Sequence, residues 1–138
     1  MNGKLLDTNI IIRYIKDEDN LDDIFEEENL FYSSVTLGEL LFGAECSKRK
    51  EENARVYSNF CSELVEIKLD SIVAPFYAKI KAQLKMDGHP IPENDIWISA
   101  CAMAYNLTVS ANRGSAFETG SAGCQTILSG WTLLPCRY

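Results

Sequence analysis

The sequence predicts an α/β domain: a central, mostly parallel sheet of four to five strands flanked by helices. Short apolar runs that suit strands alternate along the chain with longer amphipathic stretches that suit helices, the pattern of βαβ units. The 138 residues are enough for one domain with a core of its own. No internal repeat, low-complexity tract or linker divides them, so residues 1–138 read as a single unit.

Taken in order, "LLDTNIIIRYI" reads as a short strand, a turn at Asp7 to Asn9 and a helix, with Thr8 or Asn9 as the candidate cap. "KDEDNLDDIFEEEN" carries Leu21, Ile24 and Phe25 at helical spacing and predicts a short amphipathic helix with a solvated acidic face. "NLFYSSV" is a second strand. "TLGELLFGAECS" follows as a helix starting near Thr36, with Leu37, Leu40, Leu41 and Ala44 apolar despite Gly38 and Gly43. "KRKEENARVYSNFCSEL" favours a helix with Val56, Phe60 and Leu64 on one stripe, and the alternation in "VEIKL" makes a third strand. "SIVAPFYAKIKAQLKMDG" is a helix with Pro75 near its first turn and a stop at Gly88. "IPENDIWISACAMAYN" is a helix opened by a Pro and an Asn, and "LTVSA" is a fourth strand. The Gly- and Ser-rich tail holds one more short strand near "QTIL" that extends toward "WTLL".

Composition narrows the chemistry. No apolar stretch approaches the roughly 20 residues of a membrane span. "MNGKLLDTN" has neither the apolar core nor the cleavage site of a signal peptide, so the expected location is cytoplasmic. Five scattered cysteines (Cys46, Cys61, Cys101, Cys124 and Cys136) form no CxxC pair and read as free thiols. The one histidine, His89, lies in the turn-like "MDGHPIP" and has no partner at zinc-ligand spacing. The net charge of −7 has two readings: the chain does not bind nucleic acid, or several of its acids hold cations. The run Lys48, Arg49, Lys50, with Arg55 beyond it, is either a solvated helix face or a contact for a phosphate backbone.

Three acids stand out because apolar sequence surrounds them. Asp7 follows the first strand, Glu39 lies within "VTLGELLFGA", and Asp95 opens the most apolar helix in "PENDIWISACAMA". Singly, each has an ordinary explanation: a turn or cap at Asp7, a solvent-facing position at Glu39, a first-turn acid complementing the helix dipole at Asp95. Together, they fall at the same end of a parallel sheet, where ligands bind in open α/β folds. Carboxylates crowded there raise one another's pKa unless a counter-charge intervenes. Oxygen donors without His or Cys suit a hard cation such as Mg²⁺ or Mn²⁺, and such ions activate water and stabilise charge at a phosphodiester.

"LLDTNIII", "VTLGELLFGA" and "IPENDIWISACAMAYNLTVSAN", in this order and spacing, resemble the sequence blocks of PIN-domain ribonucleases, above all VapC-type toxins of toxin–antitoxin pairs. The resemblance covers residues 4 to about 112 and implies a PIN-like fold. It also implies an endoribonuclease that needs Mg²⁺ or Mn²⁺, a neutralising antitoxin partner, frequent homodimerisation, and RNA targets that include tRNA and ribosomal RNA. Asp7, Glu39 and Asp95 match the family's acidic metal-binding residues. Where the family carries a T-x-D/N pattern after the last core strand, this chain has "SAN", so Ser110 and Asn112 occupy those places as weaker or indirect ligands. The tail from residue 113 is longer and richer in Gly and Ser than the family's usual short loop. Two other readings compete with the enzyme. One is a catalytically silent PIN-like module that binds RNA or protein. The other is a flavodoxin-like phosphatase with Asp7 as nucleophile, disfavoured because "DTN" has no second acid in a DxD arrangement.

Overall fold

The computed structural model describes residues 3–16, 26 and 29–110. Strand β1 (Lys4–Leu6) leads into helix α1 (Thr8–Ile15), and β2 (Leu30–Ser33) into α2 (Ser34–Glu45) and α3 (Lys50–Ser62). Then come β3 (Val65–Ile67), α4 (Ala74–Asp87), α5 (Glu93–Tyr105) and β4 (Thr108–Ser110). The strands form one sheet in the order β3-β2-β1-β4, and every pairing is parallel. Leu5 stands opposite Phe31 and Val109, and Leu6 opposite Ser110. The predicted α/β architecture is the one observed. The acidic helix expected around Leu21, Ile24 and Phe25, the strand near "QTIL", Cys124 and Cys136 lie outside the described residues.

Side chains alternate across a strand, so each strand feeds two cores. Leu5, Phe31, Ile67 and Val109 point to one face and pack with Ile80 and Leu84 of α4 and Ile96 and Ile98 of α5. Leu6 and Tyr32 point to the other face and pack with Ile10 and Ile11 of α1, Leu40 of α2 and Cys61 of α3. A parallel sheet has to be covered on both faces, and the two helical layers do this.

Several helix boundaries differ from the sequence expectation for reasons of capping. The cap of α1 is Asp7, not Thr8 or Asn9: its Oδ1 accepts the Thr8 N–H at 2.7 Å. Asp is as good a cap as Thr, and the Thr8 hydroxyl is engaged elsewhere. Helix α2 starts two residues before Thr36, because Ser33 Oγ accepts the Thr36 N–H at 3.2 Å. In α3 Cys61 is buried and Tyr57 and Phe60 are half-buried against the same core; Leu64 packs there too from just beyond the helix, as the sequence led one to expect for Phe60 and Leu64, while Val56 is exposed. Periodicity misplaced one member of the stripe, Val56, because Val56 and Tyr57 are both acceptable core residues. Pro75 does sit in the first turn of α4, and Gly88 ends that helix at φ +69, where a side chain would be strained. Pro92 precedes α5 as its cap residue, and Asn94 falls inside the first turn rather than capping it.

His89 is exposed and lies outside the helices. Cys46, Cys61 and Cys101 are free thiols, and burial pushes Cys61 up to about 11 and Cys101 up to about 12, so neither forms a ready thiolate. No described helix is long and apolar enough to cross a membrane.

Ser33 is fully buried, and its hydroxyl also donates to Thr36 Oγ1 at 3.4 Å. Ser33→Ala removes the cap and strands a buried N–H, so it is expected to lower unfolding stability by about 1–2 kcal/mol in urea denaturation. A loss below a few tenths would mean that α2 does not depend on this cap.

Candidate active site

In open α/β sheets the crevice forms where the strand order reverses, beyond the carboxyl ends of the strands. With the order β3-β2-β1-β4, successive strands run outward from β1 on one side and return to β4 on the other, so the reversal lies between β1 and β4. Asp7 is the first residue after β1. Its backbone N–H donates to the Ser110 carbonyl oxygen at 3.0 Å, and its own carbonyl accepts the Ile11 N–H at 3.2 Å. One residue therefore ties the ends of β1 and β4 together and starts α1.

The Asp7 side chain is held in the same place and is only 6% exposed. Burial pushes its carboxyl up to about 6, the Thr8 N–H opposes this, and the charges of Asp95 and Glu39 push it further up. Glu39 lies in the second turn of α2, half-buried, with the Thr8 hydroxyl donating to its Oε1 at 3.2 Å. Its carboxyl is also held above the usual range, chiefly by burial, against the Thr8 hydrogen bond and with the charge of Asp95 adding to the rise. Asp95, half-buried in the first turn of α5, is raised by burial.

The structure thus brings Asp7, Glu39 and Asp95 into electrostatic range of one another. The ordinary explanations are partly true as well: Asp7 does cap α1, and Asp95 does sit in a first turn. Neither role accounts for the mutual repulsion. Ser110 closes β4, half-buried, with its carbonyl bonded to Asp7. Asn112 lies outside the described residues. Lys48 and Arg49 lie between α2 and α3, Lys50 and Arg55 lie in α3, and all four are exposed; Arg49 pairs with Glu52 at 3.5 Å.

A family model described as the PIN domain matches residues 4–118. The chain belongs to the PIN domain family. Ribonuclease VapC2 of Haemophilus influenzae is 36% identical over 119 residues, spanning 83% of this chain and 89% of that protein. A tRNA(fMet)-specific endonuclease VapC of Shigella flexneri is 34% identical over the same shares. Among solved structures, DNA-bound VapBC from Salmonella typhimurium superposes with a TM-score of 0.73 at 33% identity, covering 79% of this chain and 85% of that one. The resemblance to VapC-type PIN domains read from "LLDTN", "ELLFGA" and "IPENDIWISA" is therefore upheld.

The donor set of this PIN domain suits a hard cation. It is made of oxygen, it is anionic, and its members repel one another where they stand. Among the described residues, no three His, Cys, Asp or Glu side chains stand close enough together to hold a metal ion as a group. The three carboxylates feel one another's charge without being drawn to a common point.

Thr8 is the residue that sequence reasoning passed over, having treated it only as a possible cap. It touches both Asp7 and Glu39. The only signal for this was its place beside Asp7, because its second contact is 31 residues away in sequence.

A carboxyl raised in the folded state binds more protons there than in the unfolded chain between about pH 4 and 6. Its contribution to stability is therefore present at low pH and lost as pH rises through the folded value. Asp7→Asn keeps the cap and removes the charge. In EDTA, the variant is expected to be more stable than the wild type by about 1–3 kcal/mol at pH 7.5, with the gap closing near pH 4. Urea titrations at the two pH values check this, and equal stability at pH 7.5 would contradict the burial of an ionised Asp7.

Proposed function

We propose that this PIN domain is a Mg²⁺- or Mn²⁺-dependent endoribonuclease, the toxin of a toxin–antitoxin pair, acting in the cytoplasm. The observation that carries the proposal is the buried Asp7 carboxylate at the strand-order reversal, coupled by charge to Glu39 and Asp95. The names of the relatives support it: ribonuclease and tRNA(fMet)-specific endonuclease. RNA is the proposed substrate, with tRNA and ribosomal RNA the first classes to try.

In this reading Asp7 and Asp95 hold the cation. Glu39 ligates it or orients the attacking water. Ser110 supplies a weaker oxygen donor, and Asn112, two residues on in sequence, is the candidate for another. A bound Mg²⁺ or Mn²⁺ lowers the pKa of water and neutralises charge building on the phosphoryl oxygens. The carboxylates, all raised by burial and Asp7 and Glu39 also by neighbouring charge, gain a counter-charge for their ionised forms.

Asp95→Asn keeps the shape and removes a ligand charge. It is expected to reduce cleavage more than about 100-fold without lowering the stability of the metal-free protein. Sequencing newly made RNA 5′ ends in cells expressing wild type or variant, beside circular dichroism of both, reads this. Wild-type cleavage by the variant in Mg²⁺ would overturn the assignment of Asp95.

The proposed partners are an antitoxin and a second copy of the chain. Helices α1 and α2 hold more apolar residues than one buried stripe needs. Ile10, Ile11 and Leu40 are in the core, Ile12, Ile15 and Leu41 are half-buried, and Phe42 is 71% exposed. The superposed Salmonella typhimurium structure is a VapBC complex, which supports assigning the exposed ring to an antitoxin. Phe42→Glu is expected to weaken antitoxin binding about 30-fold or more, a loss of about 2 kcal/mol, while sparing RNA cleavage. Titration with a cognate antitoxin measures the loss. Unchanged affinity, with a shift from dimer to monomer in sedimentation, would move Phe42 to the homodimer contact.

A further inference from the structure

We infer that Thr8 is a positioning residue for the cation site, fixing the Asp7 and Glu39 carboxylates relative to one another through its backbone N–H and its hydroxyl. The inference rests on the metal-dependent reading above. The N–H donates to Asp7 Oδ1 at 2.7 Å, and Oγ1 donates to Glu39 Oε1 at 3.2 Å. One residue on α1 thereby sets the geometry of a carboxylate on its own element and of another on α2.

Three features make Thr suited to this. As the first residue of α1, its N–H has no partner within the helix and is free to serve Asp7. Its side chain branches at Cβ, which restricts χ1, so the direction of the hydroxyl follows from where the helix starts. It is 6% exposed, so bulk water competes poorly for either bond. The start of α1 is itself set by the Asp7 cap, which closes a loop of mutual constraint: Asp7 starts the helix, the helix aims Thr8, and Thr8 holds Glu39. With Oε1 engaged by Thr8, the second Glu39 oxygen is the one left for a cation. The neighbouring Asn9 is exposed.

The alternative is that the hydroxyl only satisfies a buried polar contact, in which case its loss changes stability and nothing else. Thr8→Val keeps the branching and removes the donor, while Thr8→Ser keeps the donor. Calorimetric titration of Mn²⁺ into the RNA-free full chain is the readout, with thermal unfolding in EDTA as the control. Thr8→Val is expected to weaken Mn²⁺ binding about 10–100-fold, the usual effect of removing a partner that orients a metal ligand. Thr8→Ser is expected to restore binding close to wild type. In a Glu39→Gln background, Thr8→Val is expected to add little, because the two residues act as one unit. Thr8→Ala replaces the valine variant if that fails to fold, and failure of both to fold at 4 °C makes the role structural and overturns the inference. Mn²⁺ binding by Thr8→Val equal to wild type, or losses that simply add in the double variant, overturns the inference alone. A wild type that takes up no Mn²⁺ overturns the metal reading and this inference with it.

Discussion

An ionisable carboxylate held out of water at the seam of a parallel sheet is the constraint around which the rest of the structure is arranged. The Asp7 backbone joins β1 to β4 through Ser110 and opens α1 through Ile11, and its side chain closes the first turn of that helix. Any non-proline residue could provide the backbone bonds. The cap needs a short acceptor, a requirement Asn or Ser would meet without charge. Asp meets it at the cost of desolvating an anion, and its carboxyl rises to about 6 in consequence. A fold that needed only a cap would have no reason to carry that burden.

The other two acids reach the seam from different layers. Helix α2 is anchored mainly in the α1–α3 core through Leu40, and its first-turn Val35 packs against the opposite core. It therefore begins over the edge of the sheet and carries Glu39 past the end of β1. Helix α5 belongs to the other core through Ile96, Ile98 and Cys101, and its first turn brings Asp95 to the same edge. Ser99, buried one turn on, donates to the Asp95 carbonyl at 2.9 Å and ties that first turn to the buried helix body. One carboxylate thus comes from the sheet and one from each helical layer, each held by hydrophobic packing that has no need of the site.

What the sequence disclosed follows from the range of the interactions involved. The strand and helix order was legible because burial on both sheet faces imprints apolar runs on "LL", "LFY" and "TV" and amphipathic spacing between them. Asp7, Glu39 and Asp95 stood out as candidates because a charge inside apolar sequence is conspicuous on its own, and the structure sets them within reach of one another's charge. The stop at Gly88 and the position of Pro75 were legible because both act through local backbone geometry. The starts of α1 and α2 were less legible, since "DTN" and "SSVT" each offer several residues able to cap and only the dihedral angles choose among them. The stripe of α3 was misread at one position for a similar reason, Val56 and Tyr57 being near-equivalent to a pattern but not to a core. Thr8 was hidden more completely, because its contact with Glu39 exists only once two helices have packed.

The acidity of the chain takes on a different meaning beside this site. A net charge of −7 opposes the approach of a polyanion, and basic residues on α3 offset it only locally. At the three carboxylates burial strengthens that opposition by lowering the local dielectric. On the proposed reading, the same low dielectric works in the opposite direction once a divalent cation is held: a phosphate then meets positive charge that water screens poorly. The arrangement that makes the metal-free edge inhospitable to RNA would make the loaded edge more hospitable, and the acidic composition elsewhere would discourage RNA from settling away from it.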